Sequence, residues 1–187
     1  MISRPEQPNP AAIAELYRRC YAGPPWSESP AQLDAYPDRL QAATAKPGFT
    51  VWTATDDDGR LIGVCYGWPS PADLPDERVY GLLTTAFGPA GAAELTGGAF
   101  EIVELFVDPD AQGKGIGKAL LTAAVDGRPS AWLITLPDSP AAALYRAMGW
   151  RQAGRLPTDP ALTVFTLDRR GERASEGLTA GGADPKA

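Results

Sequence analysis

The chain has 187 residues, no histidine and a net charge of −6, with 44% hydrophobic and 21% charged residues. This length and composition are typical of one soluble globular domain with a proper core. The acidic balance argues against a nucleic-acid partner. Because histidine is absent, a Ser-His-Asp triad and a histidine base are excluded and a zinc site has almost no ligands, so we expect no metal.

The sequence also predicts the compartment. Its two cysteines, Cys20 and Cys65, lie far apart in apolar segments, which favours buried reduced thiols over a disulfide. No apolar run follows Met1 as it would in a signal peptide, and no apolar stretch approaches the length that spans a bilayer. We therefore expect a cytoplasmic protein without a membrane partner.

Helix and strand signals alternate along the chain. Asn9-Pro10 predicts the start of a first helix, and a capping box at 29–32 the start of a second, which Pro37 divides into two short pieces. The later predicted elements are strands over 49–55 and 61–68, a short helix near 79–87, a central strand over 100–107, a helix from 116 that ends at Gly127, a strand over 132–136, a helix over 141–148 and a last strand over 162–167. Residues 169–187 show no periodicity, so we expect a single domain over 1–168 followed by a disordered tail.

The most informative segment, residues 104–121, is predicted to be a strand, a glycine-rich turn and a helix. Such a turn gathers backbone N–H groups at a helix N-terminus, where they bind phosphate oxygens. The P-loop pattern fails, because Gln112 stands at its first glycine and Ala119 follows its lysine. The dinucleotide pattern fails at Lys118, its third glycine position. The pattern that remains is Q-x-x-G-x-G, formed by Gln112, Gly115 and Gly117.

This pattern, placed between a central strand and a helix, resembles the pyrophosphate loop (R/Q)-x-x-G-x-(G/A) of the GNAT superfamily, the acyl-CoA-dependent N-acyltransferases. A second segment, 138–150, resembles the family pattern N-x-x-A-x-x-L-Y-x-x-x-G-(F/W). Its matching residues are Ala141, Leu144, Tyr145, Gly149 and Trp150. Asp138 departs from the usual Asn, which often contacts the pantetheine arm. The resemblance implies an α/β GNAT fold: a mixed, mostly antiparallel twisted sheet of six or seven strands flanked by helices, its central strand splayed by a bulge.

The resemblance also implies that acetyl-CoA is the cofactor and CoA the product. We expect backbone groups of the central strand to pair with the pantetheine arm and the glycine-rich turn to hold the pyrophosphate. The expected cofactor-binding residues are Leu105, Phe106, Val107, Gln112, Gly113, Lys114, Gly115, Ile116, Gly117, Lys118, Asp138 and Tyr145. The alternative is an ordinary strand–turn–helix whose glycines serve packing.

Two side chains are candidates for proton transfer. Tyr145 matches the tyrosine that the family commonly uses as a general acid; a phenol pKa of about 10 against about 8.5 for a thiol suits protonation of a leaving thiolate. Its alternative role is that of a core tyrosine. Glu104 is the candidate base, and strand alternation places it on one face with Ile102 and Phe106, opposite Glu101. Its alternative role is pairing with an arginine or lysine.

The acceptor pocket is expected to come from the helical N-terminal segment and the long 69–98 segment. The candidate acceptor-binding residues are Trp26, Tyr36, Trp68 and Tyr80, with burial in the core as the alternative. The favoured function is acetyl transfer from acetyl-CoA to a primary amine of a small-molecule or amino-acid-like acceptor. A peptide or protein N-terminal acetyltransferase and a non-catalytic acyl-CoA-binding module remain alternatives. The oligomeric state is left open, with a homodimer as one option.

Overall fold

The computed structural model describes residues 1–169, in which an open seven-stranded sheet is flanked by six helices. The strands are β1 (Ile2–Ser3), β2 (Thr50–Thr55), β3 (Leu61–Pro69), β4 (Phe100–Val107), β5 (Ser130–Thr135), β6 (Arg151–Arg155) and β7 (Thr163–Asp168). The helices are α1 (Pro10–Tyr21), α2 (Pro30–Asp34), α3 (Tyr36–Thr44), α4 (Arg78–Thr96), α5 (Ile116–Val125) and α6 (Pro140–Ala147). The predicted tail lies, apart from Arg169, outside the described residues.

The strands follow the order β1-β2-β3-β4-β5-β7-β6, and β4 with β5 is the parallel pair in an otherwise antiparallel sheet. Helices α5 and α6 cover one face of the sheet. Helices α1, α3 and α4 cover the other face. This arrangement confirms the predicted fold class. Within residues 1–169, none of the helices combines the length and apolar character needed to cross a bilayer.

Local signals set the helix boundaries as the sequence predicts. The Asn9 side chain accepts a hydrogen bond from the Ala12 backbone N–H at the start of α1, and the capping box at Ser29 opens α2. Helix α4 differs from the prediction, because it extends to Thr96 through a kink at Gly88, whose φ of 72° precedes Pro89.

A β-bulge in β4 determines the shape of the sheet's centre. Tyr66 pairs with Glu104 and the next residue, Gly67, pairs with Ile102, so Val103 is an extra residue in β4. The parallel pairing of β4 with β5 covers Phe100, Glu101 and Ile102. Beyond these residues the two strands separate, and a gap opens between them. The predicted splayed central strand is therefore confirmed.

The bulge overturns the predicted alternation of side chains along β4. Ile102 packs on the α5–α6 side, whereas Glu104 bonds to α1 and Phe106 packs against α1 and α3. Glu101, expected on the face opposite Glu104, lies on the same face and accepts a hydrogen bond from Tyr80 of α4. The expected faces were wrong because one inserted residue shifts the period-2 pattern.

We expect Gly67→Ala to destabilise the fold. A Cβ at Gly67 would overlap the backbone carbonyl oxygen of Glu101 beside the bulge, so β3 and β4 would have to move apart. Overpacking of this kind costs about 1–3 kcal/mol, which urea unfolding can measure. The control is Gly81→Ala, at an exposed helical position with open space around the new Cβ, which should be neutral or up to about 1 kcal/mol more stable. Equal stability of the two variants would contradict the prediction.

Candidate functional site

A cavity of about 470 Å³ lies at the end of β4 beside the glycine-rich turn. It brings together most of the predicted cofactor-binding residues: Leu105, Phe106, Val107, Gln112, Gly113, Gly115, Ile116, Gly117 and Lys118. The start of α6 and residues of the α1–α2 connection complete its wall. We call it the donor cavity. Its volume falls within the roughly 300–1,000 Å³ that is usual for small-molecule sites.

The turn presents the N-terminus of α5 to the donor cavity. Gly113 and Gly115 have φ angles of 74° and 79°, which side-chain-bearing residues rarely adopt. Gly115 is the N-cap of α5, and no side chain caps this helix end. The first backbone N–H groups of α5 therefore face outward with the positive end of the helix dipole, an arrangement that binds anions. Lys118 adds a positive charge at the same wall.

Asp108 holds this turn in place. Its side chain is 2% exposed and lies 2.8 Å from an Arg19 nitrogen and 3.0 Å from an Arg60 nitrogen. It also accepts a hydrogen bond from the backbone N–H of Asp110 at 3.1 Å. Arg19 belongs to α1 and Arg60 to the β2–β3 turn, so one buried carboxylate joins three parts of the fold.

Three of the predicted cofactor residues lie outside the donor cavity. Lys114 donates to the backbone oxygen of Asp110 at 3.1 Å, Asp138 is exposed, and Tyr145 lines a second cavity instead. Beside Asp138, Ser139 lines the donor cavity and caps α6 by accepting from Ala142 N–H at 3.1 Å. Sequence reasoning missed Ser139, although Ser-Pro before an apolar helix face is a capping signal.

The second cavity, of about 170 Å³, occupies the gap that the bulge opens between β4 and β5. We call it the acceptor cavity. It contains both predicted catalytic side chains, Glu104 and Tyr145. Four residues line both cavities: Tyr21, Trp26, Leu105 and Ala141. The two cavities therefore adjoin at β4, so groups bound in each can meet there.

Glu104 reaches into the acceptor cavity from β4 and is partly accessible through it. The Tyr21 hydroxyl donates to Glu104 Oε2 at 2.6 Å. Desolvation by the surrounding protein raises the pKa of Glu104 to about 7, against the opposing effects of the Tyr21 hydrogen bond and the Arg39 charge. The hydrogen-bond partner is a tyrosine rather than the arginine or lysine of the alternative role, and a carboxylate that titrates near neutrality suits a general base.

Tyr145 lines the acceptor cavity from α6 and is 5% exposed. Its ring packs against Trp150 and Phe165, with centroids 5.9 and 5.7 Å away. Burial is the main cause that raises the pKa of Tyr145 above its ordinary value, so the phenol stays protonated. The packing of Tyr145 is thus that expected of a core tyrosine, and its position in the acceptor cavity is that expected of a general acid.

A polar network on the α1–α3 side, which sequence reasoning missed, forms the outer wall of the acceptor cavity. The Tyr17 hydroxyl donates to Glu28 Oε1 at 2.8 Å. Arg39 Nη2 donates to the Tyr17 hydroxyl at 3.1 Å and to Glu28 Oε2 at 3.4 Å. Tyr17 also stacks between Tyr21 and Tyr36, with ring centroids 4.1 and 3.5 Å away. The sequence signal was the i, i+4 spacing of Tyr17 and Tyr21 on α1.

The four predicted acceptor-binding residues are not brought together. Trp26 is 38% exposed and lines both cavities. Tyr36 is buried in the tyrosine stack, and the Trp68 ring lies 5.8 Å from the Lys46 ammonium. Tyr80 donates to Glu101 at 2.8 Å beneath α4. These last three residues line neither the donor nor the acceptor cavity.

The fold is shared with a family of acyl-transferring enzymes. The chain belongs to the acetyltransferase (GNAT) family, whose sequence profile matches residues 11–150. It is 35% identical over 98 residues to the GCN5-like protein acetyltransferase Rv2170 of Mycobacterium tuberculosis, a match that covers 48% of this chain and 48% of the relative. The chain thus spans about half the length of that relative.

Solved structures share the fold. An acetyltransferase of the GNAT family from Desulfovibrio desulfuricans matches with a TM-score of 0.64 and 16% identity, over 90% of this chain and 98% of its own. An aminoglycoside 6'-acetyltransferase type Ii matches with a TM-score of 0.60 and 17% identity, over 90% and 97%. At these identities the likeness concerns the fold alone.

The raised pKa of Glu104 predicts how stability depends on pH. A carboxyl whose pKa rises on folding, from about 4.5 to about 7, favours the protonated form in the folded state. Its contribution to stability is therefore lost as pH rises between these two values. Relative to Glu104→Gln, the wild-type free energy of unfolding should fall by about 1–2 kcal/mol from pH 4.5 to 7.5, a figure reduced because the side chain is partly accessible.

Chemical denaturation at several pH values measures this difference. The exposed residue Glu15 provides the control, because Glu15→Gln should leave the wild-type pH profile unchanged. A constant difference between wild type and Glu104→Gln would show that Glu104 titrates at an ordinary pKa.

Proposed function

We propose that the protein transfers the acetyl group of acetyl-CoA to a primary amine of a small-molecule acceptor by direct attack. The observation that carries this proposal is the meeting of two cavities at β4, one built around an anion-binding turn and one around Glu104 and Tyr145. Membership of the family supports the acetyl transfer itself. We also propose that residues 1–168 act as one domain; the cytoplasmic location stays a prediction.

The donor cavity fits a nucleotide thioester. The uncapped N-terminus of α5 and Lys118 suit a pyrophosphate, and Gly117, in the first turn of α5, presents no side chain to the cavity. Residues Leu105 to Val107 have no β5 partner, so their backbone groups on that side are available to an extended, amide-containing arm, apart from the Val107 oxygen, which accepts from Gln112 and Cys20. When bound, acetyl-CoA supplies the acetyl group and a thiolate leaving group.

The chain's own residues divide the proton transfers between them. Glu104 holds a carboxylate in the acceptor cavity and takes the proton of the attacking amine, directly or through one water. Tyr145 carries its proton on Oη and gives it to the leaving sulfur. Leu105 and Trp26, which line both cavities, exclude water from the point where the amine meets the acetyl carbon.

A second candidate is transfer to an amine of a protein. It is favoured by the similarity to the Mycobacterium tuberculosis relative, which is a protein acetyltransferase. An acceptor cavity of about 170 Å³ admits a small amine or only the end of a larger one. CoA release from acetyl-CoA over small amines, amino acids, aminoglycosides and peptides tests the proposal, and a signal confined to peptides would favour this second candidate.

We predict that Tyr145→Phe lowers kcat by about ten- to a thousand-fold, because the leaving thiolate loses its proton donor. Acetyl-CoA affinity, measured by calorimetry, should change little, since Tyr145 lies outside the donor cavity. The control is Tyr66→Phe, which removes another buried tyrosine hydroxyl, bonded at 3.5 Å to Tyr36, from outside both cavities. An unchanged kcat in Tyr145→Phe would remove this residue from the mechanism.

We predict that kcat/KM rises with pH through about 7 as Glu104 loses its proton. Glu104→Gln should lower kcat/KM by about 10²–10⁴-fold and abolish this rise. The further rise of kcat/KM at higher pH, caused by deprotonation of the acceptor amine, should remain. Glu101→Gln is the matched control: Glu101 lies on the same strand, burial raises its pKa to about 7, and it lines neither cavity. Should Glu101→Gln abolish the rise instead, Glu104 is not the base.

A further inference from the structure

Arg39, whose side chain is 47% exposed, lies at the outer wall of the acceptor cavity. Its guanidinium carbon lies 5.4 Å from the centre of the Tyr17 ring and 5.5 Å from that of Tyr36. Nη2 donates to the Tyr17 hydroxyl, to Glu28 Oε2 and to the backbone oxygen of Gln32. A guanidinium held by two rings and three acceptors is preorganised, so a ligand that binds it loses little further side-chain entropy.

The charged groups of the acceptor cavity differ in how many of their hydrogen-bonding atoms already have a partner within residues 1–169. All the hydrogen bonds that Arg39 makes within residues 1–169 use Nη2, so its Nη1 and Nε atoms remain for a ligand. Glu28 uses one oxygen for Tyr17 and the other for Arg39. Glu104 uses only Oε2, for Tyr21, within the same range. The cavity therefore offers one carboxylate oxygen to an amine and one guanidinium edge to an oxygen.

The charges of the acceptor cavity suit one ammonium group rather than several. Among residues 1–169, its charged lining consists of Glu28, Arg39 and Glu104. Arg39 neutralises Glu28, so an ionised Glu104 leaves one negative charge, enough for one ammonium group. A second ammonium on the acceptor would find no unpaired carboxylate in this lining, because Glu28 is already bonded to Tyr17 and Arg39.

We propose that the acceptor carries a carboxylate or carbonyl oxygen on the same small skeleton as its amine, and that Arg39 binds this oxygen while the amine faces Glu104. Amino acids, amino-acid amides and the N-terminal residue of a peptide share this chemistry. The inference rests on the proposed function and adds the class of acceptor to it. Glu28 and Tyr17 act as positioning residues, because they hold Arg39 by its other nitrogen.

Matched pairs of acceptors test this proposal through CoA release. Leucine, leucinamide and leucylglycine are compared with 3-methylbutylamine, and 5-aminopentanoate is compared with pentylamine. In the wild type, at least one oxygen-bearing compound should exceed its plain amine in kcat/KM by about ten-fold or more, as expected for one charge-assisted hydrogen bond. The compound with the highest kcat/KM shows whether the acceptor is a free amino acid, an amino-acid amide or a peptide. Spermidine should not exceed the plain amines.

Arg39→Gln should reduce this preference, taken as the ratio of kcat/KM for each oxygen-bearing compound to that for its plain amine, at least ten-fold. Comparing the same compounds between the two proteins cancels differences in amine basicity. Arg39→Lys, which keeps the charge but loses the planar fork, should restore only part of the preference. The control is Arg18→Gln, which removes an exposed arginine paired with Asp34 and should leave the preference intact. A thermal unfolding curve checks that each variant is folded.

The outcomes separate this inference from the proposed function. If plain amines are acetylated with no preference, or if Arg39→Gln keeps the preference, the inference is overturned and the proposed function stands. If no compound releases CoA, the proposed function fails; quenching of tryptophan fluorescence by leucinamide in the wild type but not in Arg39→Gln would still support the subsite. Absence of quenching in both proteins would overturn it. A preference for spermidine would likewise overturn it.

Discussion

The extra residue Val103 in β4 is the constraint on which the rest of the site depends. Without it, strict alternation would turn Glu104 toward the apolar core under α5 and α6. With it, Val103 and Glu104 both lie on the α1–α3 side, and β5 parts from β4 after Ile102. The same distortion therefore creates the acceptor cavity, orients its carboxylate and releases the backbone of β4 beside the donor cavity. Gly67 permits it, because a side chain there would collide with β4.

An ion cluster around the buried Asp108 fixes the donor side relative to this strand. Removing a carboxylate from water is costly unless it is paired and hydrogen-bonded, and Asp108 is paired with two arginines and bonded to the backbone of the turn. The backbone oxygen of Val107 accepts from Gln112 Nε2 at 3.1 Å and from Cys20 Sγ at 3.3 Å. The turn that presents α5 is thus held by α1 and by the end of β4. These contacts fix the position of the donor cavity relative to the acceptor cavity.

The sequence predicted the parts of the molecule whose causes are local. The caps of α1 and α2, the β2–β3 hairpin and the glycine-rich turn follow from neighbouring residues. Two strands escaped prediction because they lack an apolar alternation: β1 is two residues long and β6 is mostly exposed. The position of the bulge was also beyond prediction, since nothing in the order of β4 residues marks where one of them goes unpaired. Aromatic content alone could not tell Trp26, which lines both cavities, from Tyr36, Trp68 and Tyr80, which line neither.

The difference between local causes and contacts made only on folding explains why the acyl donor is easier to infer from the sequence than the acceptor. More than half of the residues that line the donor cavity belong to one segment, 105–118, whose turn geometry leaves a glycine pattern in the sequence. The acceptor cavity is built from side chains of β4, β5, α1, α3, α6 and the α1–α2 connection, which meet only in the folded protein. Apart from the four residues that line both cavities, these side chains lie outside the donor cavity. One fold can therefore keep its donor chemistry while the charges facing the acceptor, here Glu104 and the Glu28–Arg39 pair, decide which amine is accepted.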